Sequence, residues 1–313
     1  MECLLIGNQE TQFIEIGGQV LELTHLNKFY WPQDGVTKRD MLNYYHEVSP
    51  FILPYLKNRP QSLNRFPNGI TGASFYQKDV SGKAPDWAKT FSYTTAEGKQ
   101  REYIVGNGEE TLIYMASLGC IELNPWLSTI ASPDYPEFCL IDLDPDEGNT
   151  FAQVVEVALC VKSVLDALQI PGFLKTSGST GIHIYIPLGG KYTFVQSKAL
   201  IKMILDQVHL TLPGLTSMER SLSSRKGKLY LDFLQNHASA TVACPYSLRP
   251  KPGAPVSAPL KWEELHPGLS MYDYNIKTMP ARLQEYGDLF SGVFGPGIDL
   301  DSVMELGKRK FEN

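Results

Sequence analysis

FCLIDLDPDEG, residues 138–148, sets Asp142 and Asp144 inside a run that is otherwise apolar at Phe138, Cys139, Leu140, Ile141 and Leu143. An ionised carboxylate buried without a partner costs several kcal/mol or more. Alternate side chains of a β-strand share a face, so Asp142 and Asp144 project together while Ile141 and Leu143 enter a core on the other side. Two acids that close repel one another and one pKa rises, unless a cation lies between them. An isolated D-x-D also suits a turn or a helix cap. The apolar flanks favour a divalent-metal site on a strand, and so does a third acid, Asp232 in KLYLDFLQN (228–236), where Leu229, Leu231 and Phe233 alternate with Tyr230, Asp232 and Leu234. Three carboxylates from two strands suit two divalent cations, which together stabilise the attacking and leaving oxygens of phosphoryl transfer. Oxygen ligands favour Mg²⁺ or Mn²⁺ over zinc.

The turn Ser177-Gly178-Ser179-Thr180-Gly181 runs into Ile182-His183-Ile184-Tyr185-Ile186, a strand pattern with isoleucines on one face and His183 and Tyr185 on the other. Small residues let backbone N–H groups approach a phosphate, and the hydroxyls of Ser177 and Ser179 add donors, so a nucleoside triphosphate fits there. His183 is placed to donate to a phosphate oxygen, although a lone histidine equally suits a satisfied core position. The chain has no G-x-x-x-x-G-K-[ST], no G-x-G-x-x-G after a strand and no G-x-S-x-G. The common nucleotide folds and serine-nucleophile chemistry are therefore without support.

With 313 residues, 43% hydrophobic and 20% charged, the chain can bury a large core in one domain or two lobes. It lacks an eighteen-residue apolar run and a basic-then-apolar leader, which predicts a soluble intracellular protein without a membrane partner. Five dispersed cysteines read as reduced core residues. A net charge of −6 argues against indiscriminate coating of nucleic acid. Basic residues still gather in two places, Lys28 to Arg65 and Arg225 to Lys251, which suits a polyanion held at its flanks.

A hairpin is predicted over 12–23 around Gly17 and Gly18, and a capping box from Thr37 to Asp40 opens a helix. Strands are predicted at 103–106, from Cys120 to Leu123, at 138–144, from Ile182 and at 228–234. Helices are predicted at 109–119, 151–168 and 197–209. The proline-rich 249–259 predicts a surface loop. Strands alternating with helices imply a sheet covered by helices, with pairing directions left open.

Taken in order, LNKFYWP (26–32), VTKRD (36–40), RFPNG (65–69), SFYQK (74–78), IDLDPDEG (141–148), TSGSTGIHIY (176–185), LDFLQN (231–236) and YSLRP (246–250) resemble the polymerase domain of bacterial LigD, in the archaeo-eukaryotic primase superfamily. The resemblance spans roughly 20–295. It implies an α+β, two-lobed primase-like fold with mixed or antiparallel central sheets flanked by helices, as a single domain over 1–313. Its lobes are expected at about 1–120 and 121–295, followed by a tail, 296–313. It implies a nucleotidyltransferase that adds NTPs or dNTPs to a primer 3′-hydroxyl at DNA gaps or ends during non-homologous end joining, with two divalent cations, Mn²⁺ or Mg²⁺. DNA carrying a 5′-phosphate, a Ku-like end binder and a DNA ligase are the implied partners, and the nucleoid within the cytoplasm the implied location.

By the same resemblance Asp142, Asp144 and Asp232 are catalytic metal ligands, and Ser177, Gly178, Ser179, His183 and Arg249 bind nucleotide. Lys28 and Lys38 grip the 5′-phosphate; Phe75, Tyr76 and Arg225 contact DNA. The chain departs at Asn124, where many relatives carry histidine: asparagine donates a hydrogen bond but cannot become cationic. No K-x-D-G ligase tetrapeptide occurs, so a stand-alone polymerase or an excised domain is expected. A primase that starts chains de novo, and a non-catalytic module that bridges DNA ends, are the alternatives.

Overall fold

The computed structural model describes residues 3–95 and 97–311. It divides into two compact units, Met1–Ala131 with Thr241–Ala258 and Tyr272–Asp288, and Ser132–Ala240 with Pro259–Met271 and Leu289–Asn313. The expected cut at 120 thus moves to 131, and two later stretches return to the first unit. The expected tail is instead largely a helix, Leu300–Phe311, which buries Leu300, Val303 and Gly307.

In the first unit β1 (Gln12–Ile16) and β2 (Gln19–Leu23) form the expected hairpin. Gly17 and Gly18 both take positive φ at its turn, a region that costs glycine little. A ribbon of β3 (Phe29–Trp31) and β4 (Val36–Thr37) leads into α1 (Lys38–Glu47), where Thr37 and Asp40 make the reciprocal capping box. After α2 (Ser49–Leu56) come β5 (Arg59–Arg65), β6 (Phe75–Gln77), β7 (Thr90–Thr94) and β8 (Gln100–Gly106), then α3 (Glu109–Ser117) and β9 (Cys120–Pro125). These five strands make an antiparallel sheet in which β5 pairs with β6, β8 and β9. Asp288 accepts the hydroxyls of Tyr55 at 2.8 Å and Tyr246 at 2.5 Å.

The proline-rich stretch is not a surface loop, because only Lys251 and Pro252 are exposed and 254–259 is buried. It folds back on 246–249, with Tyr246 N donating to Ser257 O and Ser257 N to Ser247 O. Prolines bring no donor that would need a partner there.

The second unit holds β10 (Phe138–Asp144), α4 (Phe151–Ala167), β11 (Phe173–Thr176), β12 (Ile182–Pro187), α5 (Phe194–Thr211), β13 (Thr216–Ser217), α6 (Leu222–Arg225), β14 (Leu229–Asp232) and β15 (Pro259–Leu260). Its sheet runs β13-β14-β10-β12-β11-β15, antiparallel except for the parallel β13–β14 pair. Sequence alternation left those directions open, and pairing now settles them as mostly antiparallel. Ile141 and Leu143 are wholly buried, and Leu165 of α4 reaches the Ile184 face of the sheet. On the opposite face Phe138, Tyr185, Phe290 and Phe294 pack together at one end, with Phe138–Phe294 and Tyr185–Phe290 edge to face, leaving the end that bears the aspartates open.

All five cysteines are free; Cys120, Cys139 and Cys244 are buried, Cys160 is half-buried, and Cys3 is exposed. Among the described residues no helix is long and apolar enough to cross a membrane.

β14 ends two residues before the expected 234. The Asn236 side chain takes over the ladder, accepting from Leu140 N at 2.9 Å and donating to Leu140 O at 2.7 Å. Both backbone groups would lose their partners in Asn236→Leu. A loss of about 2–4 kcal/mol follows, seen as a lower urea midpoint at constant slope; an unchanged midpoint would show that water replaces the amide.

Candidate functional site

The register of the second unit answers the question posed by the D-x-D run. Asp142 lies directly opposite Asp232 on β14 and opposite His183 on β12, and His183 is in turn opposite Lys175 on β11. One row of same-face residues therefore crosses four strands as Asp232, Asp142, His183 and Lys175. Asp144 sits two residues along, opposite Tyr230. Like charges facing one another across a pair are destabilising, and the structure answers each carboxylate with a partner. His183 Nε2 is 3.4 Å from Asp142 Oδ1. Arg225, buried and stacked 4.0 Å over the Tyr230 ring, reaches Asp144 Oδ2 at 3.3 Å. Asp232 Oδ1 accepts Leu234 N at 2.7 Å and the Tyr230 hydroxyl at 3.3 Å.

Burial holds the Asp144 carboxyl above its ordinary pKa; Arg225 opposes this, and repulsion from Asp232 and Asp146 adds to it. The three aspartates line a cavity of about 880 Å³ together with Lys198, Arg220, Arg225, Gln235 and His237.

The glycine-rich turn closes on itself. Ser177 Oγ accepts from the N–H groups of Ser179, Thr180 and Gly181 at 3.0–3.1 Å, so these donors, expected to face a phosphate, are already engaged. Gly178 has φ +67°, and a Cβ at Gly181 would stand 2.0 Å from Leu143 O. The turn is pinned to β10 between the two aspartates.

In the first unit Lys28 Nζ donates to Pro67 O at 3.0 Å and Asn68 Oδ1 at 2.7 Å. Lys38 is buried and donates to Thr24 O at 2.8 Å. Burial, with Lys28 nearby, lowers its pKa to about 8. Phe75 and Tyr76 are on the short strand β6, and both are exposed. With Arg65, Lys78, Lys83 and Arg101 they line a cavity of about 640 Å³. Arg249 Nε donates to Glu122 Oε2 at 2.9 Å, and the Tyr76 hydroxyl bonds the same carboxylate. Asn124 is buried in β9, its amide donating to Glu122 O at 3.2 Å. Sequence reasoning passed over Glu122 and Lys175; the available signal was a single charge inside each of the apolar strands CIEL and FLKT.

Residues 37–290 match the model of the LigD primase-polymerase domain. The chain belongs to this family. It is 34% identical over 293 residues to the bifunctional non-homologous end joining protein LigD of Bacillus subtilis (strain 168), covering 93% of this chain and 47% of that protein. To the multifunctional LigD of Mycolicibacterium smegmatis it is 31% identical over 274 residues, covering 87% and 36%. The fold superposes on the polymerase domain from Mycobacterium tuberculosis Ligase D in complex with DNA, with a TM-score of 0.81 and 28% identity over 88% of this chain and 98% of that one. This LigD primase-polymerase chain spans less than half the length of the LigD relatives it matches. The family chemistry is nucleotidyl transfer of the polymerase type.

The donor set suits the divalent ions such chemistry uses. Three carboxylates offer hard oxygens on one face, in a cavity with cationic walls. Among the described residues no three His, Cys, Asp or Glu side chains already form a ready cage. Each aspartate is instead turned to the partner named above.

Proposed function

We propose that this chain extends a primer 3′-hydroxyl by template-directed addition of NTPs or dNTPs at gaps and broken ends of DNA, in non-homologous end joining. The observation that carries the proposal is the convergence of Asp142, Asp144 and Asp232 in one cavity. Two cations, Mn²⁺ or Mg²⁺, held by these three acids supply activation of the 3′-hydroxyl and charge stabilisation on the transferred phosphate.

The chain's own residues do the rest. His183 offers a donor beside Asp142, Ser177 with Gly178 and Ser179 shapes the turn that meets the nucleotide, and Arg249 brings a permanently charged fork held by Glu122. Phe75 and Tyr76 give exposed rings on which bases stack. Arg225 orients Asp144 and contacts DNA. A Ku-like end binder and a ligase are the partners this role requires, at the nucleoid.

The deciding experiment offers a gapped duplex bearing a 5′-phosphate, Mn²⁺ and each nucleotide in turn. Metal-dependent primer extension is expected; DNA binding without incorporation under every condition would make the chain an end-bridging module instead.

Lys28 and Lys38 grip the 5′-phosphate, and the depressed pKa of Lys38 gives this grip a pH dependence. Below pH about 8 Lys38 is charged, and above it the proton is lost. The contribution of Lys38 to the preference for a 5′-phosphorylated over a 5′-hydroxyl end is therefore full well below pH 8, half lost near pH 8 and gone as pH rises toward 10. Fluorescence anisotropy across pH 6.5–9.5 measures it, and a flat ratio would remove Lys38 from the grip.

A further inference from the structure

We propose that Lys175 is the positioning residue that makes His183 a fixed hydrogen-bond donor, rather than a base or a metal ligand. The inference rests on the reading of the aspartate cavity as a nucleotidyl-transfer site.

Lys175 has no solvent exposure, in a four-residue strand that is otherwise apolar but for its terminal threonine. A buried ammonium is costly unless something satisfies it. Its Nζ lies 2.7 Å from His183 Nδ1 and 5.8 Å from the centre of the Tyr185 ring. The lysine ammonium brings donors only, and against it Nδ1 accepts. The ring proton then resides on Nε2, the nitrogen 3.4 Å from Asp142 Oδ1. An imidazolium would set N–H against N–H at Nδ1, so the geometry favours the tautomer that turns Nε2–H toward Asp142.

This is the reverse of the usual arrangement. A histidine that ligates a metal or takes up a proton at Nε2 has its Nδ1–H held by a carboxylate or a carbonyl. A lysine at Nδ1 excludes both roles and leaves Nε2–H as the group presented beside the aspartates. Phosphate oxygens only accept, so the tautomer Lys175 enforces is the one a triphosphate needs. The ammonium behind the ring polarises it and strengthens the donor. Without that donor either tautomer is open, and one of them turns a lone pair toward phosphate.

Two measurements test the assignment. In long-range ¹H–¹⁵N spectra of ¹⁵N-histidine protein, His183 is expected as the Nε2–H tautomer in the wild type, mainly so in Lys175→Gln, whose amide can donate to Nδ1 but can also accept from it, and as an even mixture in Lys175→Met. In the extension assay Lys175→Met is expected to raise the nucleotide KM about 10- to 100-fold with a smaller change in kcat. Lys175→Gln should recover most of that loss, and Lys175→Met should add little in a His183→Ala background. An Nδ1–H tautomer in the wild type, or a folded Lys175→Met with KM within threefold of normal, would overturn the proposal. Should Lys175→Met not fold, the wild-type spectrum and Lys175→Gln decide it. A wild type that extends no primer would instead defeat the polymerase reading, while the spectrum still tests the tautomer.

Discussion

Asp232→Ala is expected to abolish primer extension, by on the order of 10³-fold or more, while leaving the fold standing. Asp232 meets Asp142 across the β10–β14 pair, and its charge contributes to the raised pKa of Asp144. Removing it relieves repulsion between like charges. The loss of its bonds to Leu234 N and the Tyr230 hydroxyl offsets that relief, so stability should shift by no more than about 1 kcal/mol. Because the three acids act as one unit, Asp142→Ala should be equally inactive, and the double variant no worse than either single one. Single-nucleotide incorporation rates beside urea titrations make the comparison. Turnover by Asp232→Ala within tenfold of the wild type would break the convergence on which the proposed function stands.

Gly181→Ala should be the most damaging single-methyl change in the second unit. The added carbon would lie 2.0 Å from Leu143 O, a backbone atom fixed in β10 between Asp142 and Asp144. No flexible side chain can move aside to make room. Either the 177–181 turn lifts off β10, or β10 shifts and takes both aspartates with it. A cost of about 3 kcal/mol or more is expected, with extension lost even at temperatures where the variant stays folded. Gly214→Ala, whose added carbon meets nothing within 4 Å, provides the comparison. Parity between the two in urea midpoint and extension rate would mean that the turn yields freely.

The sequence disclosed those features that depend on local spacing. Alternation around Asp142, Asp144 and Asp232 placed them on strands; Thr37 with Asp40 gave the start of α1, and Gly17-Gly18 gave the first hairpin. Long-range features were hidden for physical reasons. Strand direction depends on which partner is chosen, and alternation is the same for parallel and antiparallel pairs. The end of β14 depends on Asn236, whose role is visible only once Leu140 lies beside it. Proline richness at 249–259 marked an unusual backbone but not its burial, because the partners are supplied by 246–249 and Tyr274. Ser177 reads as a donor for phosphate; that its oxygen also accepts from three N–H groups of its own turn shows only once 179–181 fold over it. Lys175 in FLKT was a conflict between charge and burial, and such conflicts mark functional positions.

The manner in which Asp288 meets Tyr55 and Tyr246 bears on how the molecule is made. Those hydroxyls belong to positions far apart along the polypeptide, and the carboxylate they share emerges from the ribosome after the whole 132–240 stretch. The Tyr55 hydroxyl must therefore wait for its carboxylate until that stretch has been made, a contact of high sequence separation of the kind that slows folding. Severing the chain once near residue 131 or 240 would not yield two independent pieces. Engineers who wish to graft the first unit onto another protein must carry 241–258 and 272–288 along with it.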